Sequence, residues 1–196
     1  MKIALSLILM FYMFSGQLLA QEKWEGKNIL IVYLTRTNNT KAVAEIIQDK
    51  VGGDLVAIEL QKPYPDNYDE IVAQVAQENE TGFLPPLKTR FKNLDKYNVV
   101  FVGFPTWGMQ LPPPIKSFLN KNDFNGKIVI PFNTNAGYGV GSSFKTIEKL
   151  CPRSKILEGF TVKGGIERDG ILFVMKGEKE EEVRTQVQKW LNSLSL

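Results

Sequence analysis

The stretch Ile29-Leu30-Ile31-Val32-Tyr33-Leu34 contains no charged or amide residue. A strand with one face in water alternates apolar and polar side chains, so an unbroken apolar run suits a strand covered on both faces. Val99-Val100-Phe101-Val102-Gly103-Phe104 repeats the pattern, and Leu55 to Leu60, Lys127 to Phe132 and Ile156 to Val162 read as three further strands. Between them apolar residues recur at helical spacing: Val43, Ile46, Ile47 and Val51, closed by Gly52-Gly53, then Ile71, Val72, Val75 and Ala76 on one side of a helix from about Tyr68 to Glu80. Pro112-Pro113-Pro114 can open a helix but cannot sit inside one; Ile115, Phe118 and Leu119 supply the buried face that follows. Phe144, Ile147 and Leu150 mark a fourth helix, and Val183, Val187, Trp190, Leu191 and Leu194 a fifth, with the clearest stripe of all. Five strand-then-helix units predict an α/β fold, a parallel sheet with right-handed crossovers and helices on both faces. Ile171 to Met175, after the turn-like Glu167-Arg168-Asp169-Gly170, reads as an extra short antiparallel edge strand or a hairpin.

The N-terminus stands apart from this pattern. Lys2, the apolar run Ile3 to Phe14 and a small residue at Ala20 predict a signal peptide over residues 1–20, hence export to the periplasm or medium. The alternative is an uncleaved N-terminal anchor, although the run is shorter than the roughly 20 apolar residues a spanning helix needs. Residues 21–27 then form a short lead, and residues 28–196 one domain, long enough for a sizeable core. A formal charge of +3 with scattered Lys and Arg gives no basic stripe for nucleic acid. Cys151 is the sole cysteine and histidine is absent, so an internal disulfide, Cys–His or Ser–His–Asp nucleophiles and the usual zinc ligands are excluded. Chemistry, if present, comes from a cofactor or from carboxylates.

Ligands of such sheets collect at the carboxyl edge of the strands, and three loops there have unusual composition. Thr35-Arg36-Thr37-Asn38-Asn39-Thr40 gathers hydroxyl and amide groups and one guanidinium at a helix start. Unpaired N–H groups and the positive dipole end suit a phosphate there, while Asn and Thr are equally at home as plain caps. Pro105-Thr106-Trp107-Gly108-Met109 sets an indole beside a glycine directly after a buried strand, either as a core plug or as a stacking surface. Asn135-Ala136-Gly137-Tyr138-Gly139 offers a second ring among glycines, or simply a flexible loop.

In that order the three loops resemble the flavodoxin family, over nearly the whole chain from Asn28 onward. Thr35 to Thr40 is similar to the family's flavin-phosphate loop, T/S-x-T-G-N-T, with Asn38 in the place of glycine. Thr106-Trp107-Gly108 is similar to the loop whose aromatic stacks on the isoalloxazine and whose glycine carbonyl responds to protonation at flavin N5; Asn135 to Gly139 falls where the second stacking loop lies. The resemblance implies a three-layer α/β/α sandwich with five parallel strands in the order 2-1-3-4-5, non-covalent FMN, and electron transfer to a redox partner. Asn tolerates left-handed backbone angles better than most residues, which keeps the turn feasible, while its longer side chain stands to crowd the phosphate. Met109, Gln110 and Leu111 replace an acid that some members carry after Trp-Gly. Without that negative charge an anionic reduced flavin is less disfavoured, which predicts easier reduction. The near-neutral chain also lacks the acidic surface that steers many members onto partners.

Three functions follow from the resemblance: an FMN electron carrier, an FMN-dependent NAD(P)H:quinone or nitro-compound oxidoreductase taking a flat organic substrate on its apolar edge, and a flavin-free binding module. Two further details, Tyr64-Pro65 with Tyr68 and Glu80, and the Pro112-Pro113-Pro114 run, resemble a subgroup of flavodoxin-like proteins; as sequence they read as turn residues and a helix start.

Overall fold

A computed structural model describes residues 23–91 and 93–196; the expected signal peptide lies outside the described residues. Strand β1 (Ile29–Tyr33) leads to helix α1 (Asn39–Val51), β2 (Asp54–Ala57), α2 (Tyr68–Thr81), β3 (Val99–Pro105), α3 (Pro113–Lys121), β4 (Ile128–Asn135) and α4 (Ser143–Leu150). The short strands β5 (Lys155–Ile156) and β6 (Phe160–Lys163) and the last helix, α5 (Glu178–Ser193), complete the domain. The sheet runs β2-β1-β3-β4-β5, with β6 also on β4, and every pairing is parallel.

Alternation along the central strands builds two cores. Ile29, Ile31 and Tyr33 of β1 join Phe101, Phe132 and the buried residues of α1 and α5 on one face. Leu30, Val32 and Leu34 join Val100, Val102, Phe104, Ile115, Phe118 and Ile147 on the other. Both faces of β1 and β3 are therefore dry, as their unbroken apolar runs require. Chemistry at the helix ends agrees with the boundaries. Asn67 accepts from the N–H groups of Asp69 and Glu70 to cap α2, and Gly82 ends that helix in the left-handed region at φ 68°.

Three details depart from the linear reading. The expected strand Ile156–Val162 is split: β5 pairs with Ile128 and Val129, β6 with Phe132 to Asn135. Between them Leu157, Glu158 and Gly159 span what Ile130 and Pro131 span on β4, a one-residue bulge opposite a proline that has no N–H to give the ladder. The edge strand expected near 171–175 is reduced to one antiparallel bridge, Ile166 to Ile171, across the one-turn 3-10 helix Glu167–Asp169. The residues read as a lead are partly built in: Trp24 is buried against Phe101 with ring centroids 5.6 Å apart. Lys23 donates from Nζ to the carbonyls of Leu191, Asn192 and Leu194 at the C-terminal end of α5. No helix among the described residues is long and apolar enough to cross a membrane.

Candidate functional site

The loop from β1 into α1 turns at Asn38, which has φ 63° and ψ 0° and makes no side-chain cap bond. Asn adopts this left-handed geometry at lower cost than most residues, and the residue is exposed and stands outside the cavity lining. Helix α1 then begins at Asn39, and its first intrahelical bond is Ala42 N–H to Asn38 O. The amides of Asn39, Thr40 and Lys41 are thus left for an acceptor outside the helix. Thr40 Oγ1 meets Thr134 Oγ1 at 2.8 Å, and Thr37 Oγ1 accepts from Asn39 Nδ2, which leaves the Thr37 hydroxyl proton free to donate. Thr35 Oγ1 is buried with no partner among the described residues.

The two residues with the largest donor sets have structural duties. Arg36 Nε pairs with Glu167, and its terminal nitrogens donate to the carbonyls of Pro65 and Asp66. Its charge is compensated, so it braces three segments. Asn39 is 3% exposed; its Nδ2 donates to Leu172 O at 2.6 Å, and its Oδ1 accepts from Val174 N–H at 3.0 Å. This claim on the backbone at 172 and 174 explains why residues 171–175 form no ladder.

After β3, Trp107 and Gln110 exchange backbone hydrogen bonds around Gly108 (φ 54°) and Met109 (φ 58°). Two left-handed central residues define a tight mirror-image turn. Glycine holds its position freely, whereas Met109 bears a cost of about 1 kcal/mol. The third loop offsets it: Ser142 N–H donates to Met109 O at 2.9 Å, and a side-chain carbon on Gly141 would lie 2.0 Å from that oxygen. Thr106 Oγ1 donates to Gly139 O at 2.9 Å, a second tie between the loops. Beneath both, the fully buried Asn133 donates to Phe104 O and Thr106 Oγ1.

In the third loop Asn135 Oδ1 accepts from the N–H groups of Gly137 and Gly139, so this side chain shapes the loop. Tyr138 stands 67% exposed at the cavity mouth, beside Arg168, whose guanidinium is held above its usual range by hydrogen bonding to Asp169 and then to Tyr138.

The three loops converge on one cavity of about 620 Å³. Arg36, Thr37, Asn39, Thr40, Pro105 to Met109, Asn135, Ala136, Tyr138 and Gly139 line it, while Thr35, Asn38 and Gly137 stand outside the lining. Sequence reasoning missed one wall. Of the apolar stripe on one side of α2, Ile71 and Val75 are buried and Val72 is 49% exposed, and all three line the cavity with Tyr68 and Ala76. The stripe is wider than burial alone needs, the signal that could have found it. Gly164 and Gly165 were missed too; a side-chain carbon on Gly165 would lie 2.1 Å from Leu172 O, so no side chain fits there. Charged lining residues balance, Arg36 and Arg168 against Glu80 and Glu167, and none lies between Pro105 and Gln110. No group of acidic or sulfur ligands suited to a metal occurs among the described residues.

A family model described as flavodoxin matches residues 28–176. A flavodoxin of Nostoc sp. strain PCC 7120 is 30% identical over 151 residues, 72% of this chain and 74% of that protein. Among solved structures, a flavoprotein from Bacteroides eggerthii DSM 20697 aligns with TM-score 0.70 at 26% identity, covering 87% of this chain and 99% of that one. A flavoprotein from Lactobacillus acidophilus NCFM, solved in complex with FMN, aligns with TM-score 0.61 at 18% identity, covering 74% and 99%. Strand order, loop placement and sequence similarity agree: this chain belongs to the flavodoxin family.

Proposed function

We propose that the chain binds FMN non-covalently and works as an electron carrier. The observation that carries this reading is the convergence of a donor-rich helix start, an indole-bearing turn and a tyrosine-bearing loop on a single cavity. The residues present fit the group. The free amides of Asn39 to Lys41 and the Thr37 hydroxyl suit the phosphate, and Asn38 stands outside the cavity lining. Trp107 offers a stacking surface, with Tyr138 at the mouth. Bound flavin would supply the redox chemistry, while the chain binds it, orients it and sets its surroundings. The uncharged lining from Pro105 to Gln110 favours easier reduction than an acidic edge would.

A second reading, an NAD(P)H:quinone or nitro-compound oxidoreductase, draws support from the apolar wall of Tyr68, Val72 and Ala76 facing Met109, which would suit a flat organic substrate. Titration with FMN tests both readings: flavin fluorescence is quenched on binding, and absence of quenching overturns them. NADH or NADPH oxidation with a quinone then separates them, turnover favouring the reductase and inertness the carrier. We also propose export directed by residues 1–20, supported by Lys2, the apolar run and Ala20. Sequencing the mature N-terminus should begin at Gln21; an intact Met1 on the cellular protein would overturn that.

A further inference from the structure

The segment Lys62 to Asn67 has no regular structure, yet it touches two of the three loops around the cavity. Arg36 of the first loop donates to the carbonyls of Pro65, at 2.8 Å, and Asp66. Tyr64 stands at right angles to Trp107 of the second loop, with ring centroids 5.5 Å apart and an interplanar angle of 85°. The Tyr64 hydroxyl in turn donates to Glu78 Oε2 at 2.5 Å, and Gln74 Nε2 donates to the other carboxylate oxygen at 2.8 Å.

Glu78 is only 6% exposed, and its side-chain partners among the described residues are a phenol and an amide, with no cation. A carboxylate so placed costs stability unless its oxygens are well bonded, and an apolar residue would fill the same space at no such cost. What the carboxylate adds is direction, because a charge-assisted bond fixes the phenol far more tightly than packing does. Burial first, and the Glu78 bond second, push the Tyr64 phenol well above its ordinary range, so it remains a donor throughout the working pH range. The second core holds Trp107 only in part: the indole is half-buried, opens onto the cavity, and is followed by a bare Gly108 and an exposed Met109. Neither Tyr64 nor Glu78 lines the cavity, so both act through Trp107 rather than on its occupant.

We propose that the Tyr64–Glu78 pair is a positioning device that orients the Trp107 indole, and that the 64–66 segment sets its spacing from the Arg36 loop. The ring-binding consequence rests on Trp107 being the flavin platform; the orientation of the indole does not.

Two measurements test this on the full mature chain. Near-UV circular dichroism without flavin, taken as the difference between each protein and its Trp107→Phe counterpart, isolates the signal of this indole. Tyr64→Phe, which keeps the ring and loses the bond, and Glu78→Ala should each reduce that signal by half or more; Glu78→Gln, which keeps an acceptor, should restore most of it. Affinities for riboflavin and FMN should both weaken about fivefold in Tyr64→Phe, leaving their ratio unchanged, because the defect lies on the ring side. An unchanged Trp107 signal in Tyr64→Phe overturns the proposal. So does loss of FMN affinity with riboflavin affinity intact, which would place the defect at the phosphate. Should Glu78→Ala not fold, Tyr64→Phe alone decides. If the wild-type protein binds neither flavin, the FMN reading fails while the dichroism still decides the positioning role.

Discussion

Replacing Asn38 separates a backbone demand from a steric one. The residue holds φ 63°, its side chain makes no cap bond, and it stands outside the cavity lining, so substitution acts almost wholly through the main chain. A residue with a β-carbon costs roughly 1–2 kcal/mol in left-handed helical geometry, less for Asn, whose short amide tolerates it. Asn38→Ala should therefore destabilise the domain by about 1 kcal/mol, a fall in Tm of about 2–4 °C for a body of this size. Asn38→Gly relieves the remaining strain but loosens the unfolded chain, worth about 0.4–1 kcal/mol in the opposite direction. The net change should stay within about 0.5 kcal/mol by those same terms. FMN affinity should hold within about twofold in Asn38→Gly, because no cavity-lining atom is removed. Thermal or urea unfolding checks stability, and flavin fluorescence titration checks binding. Tenfold tighter FMN binding in Asn38→Gly, about 1.4 kcal/mol, would refute this account by showing that the amide obstructs the phosphate. A neutral Asn38→Ala would show that the left-handed turn is not held in solution.

Trp107→Ala should weaken FMN binding by about 1 kcal/mol or more, read in the same titration; unchanged affinity would return the indole to a packing role. Asn39→Ala strips partners from Leu172 O and Val174 N–H, and should cost about 2 kcal/mol in urea unfolding while speeding tryptic cleavage at Arg168. Burial pushes the Cys151 thiol up to about 11, so the native protein should resist thiol-specific disulfide reagents at pH 8 and react only on unfolding. Because the raised value belongs to the folded state, the associated stability is full below the ordinary thiol value of 9.0 and is lost as pH rises through about 11. Stability measured between those pH values should decline; a rise would contradict the assignment.

The layers of this fold are legible in the apolar runs because β1, β3 and β4 are buried on both faces. The start of α3 was legible as well, since Pro112 to Pro114 obey local chemistry. What was not legible depends on partners distant in sequence. The bulge at Leu157 to Gly159 answers Pro131 on a neighbouring strand, and residues 171–175 fail to pair because Asn39 takes their backbone groups. At the site, composition shows that Arg36 and Asn39 carry donors but not that Glu167 and the backbone at 65, 66 and 172 engage them. The cavity wall made by Val72 and Ala76 was not legible because a helical stripe looks the same whether it meets a sheet or a cavity.

A wholly parallel sheet has a direction, and the clamp of Lys23 onto the carbonyls of Leu191, Asn192 and Leu194 fixes which end the chain enters by. The last helix returns to the edge where strands begin, and Lys155, at the start of β5, donates to Ser195 O there as well. The cavity opens at the other edge, where β1, β3 and β4 end, one strand length away, or roughly 17–27 Å for five to eight residues. Lys23, the first described residue, therefore lies at the rear of the molecule, away from the cavity mouth. A surface linked through the Lys23 side of the domain would leave that mouth unobstructed.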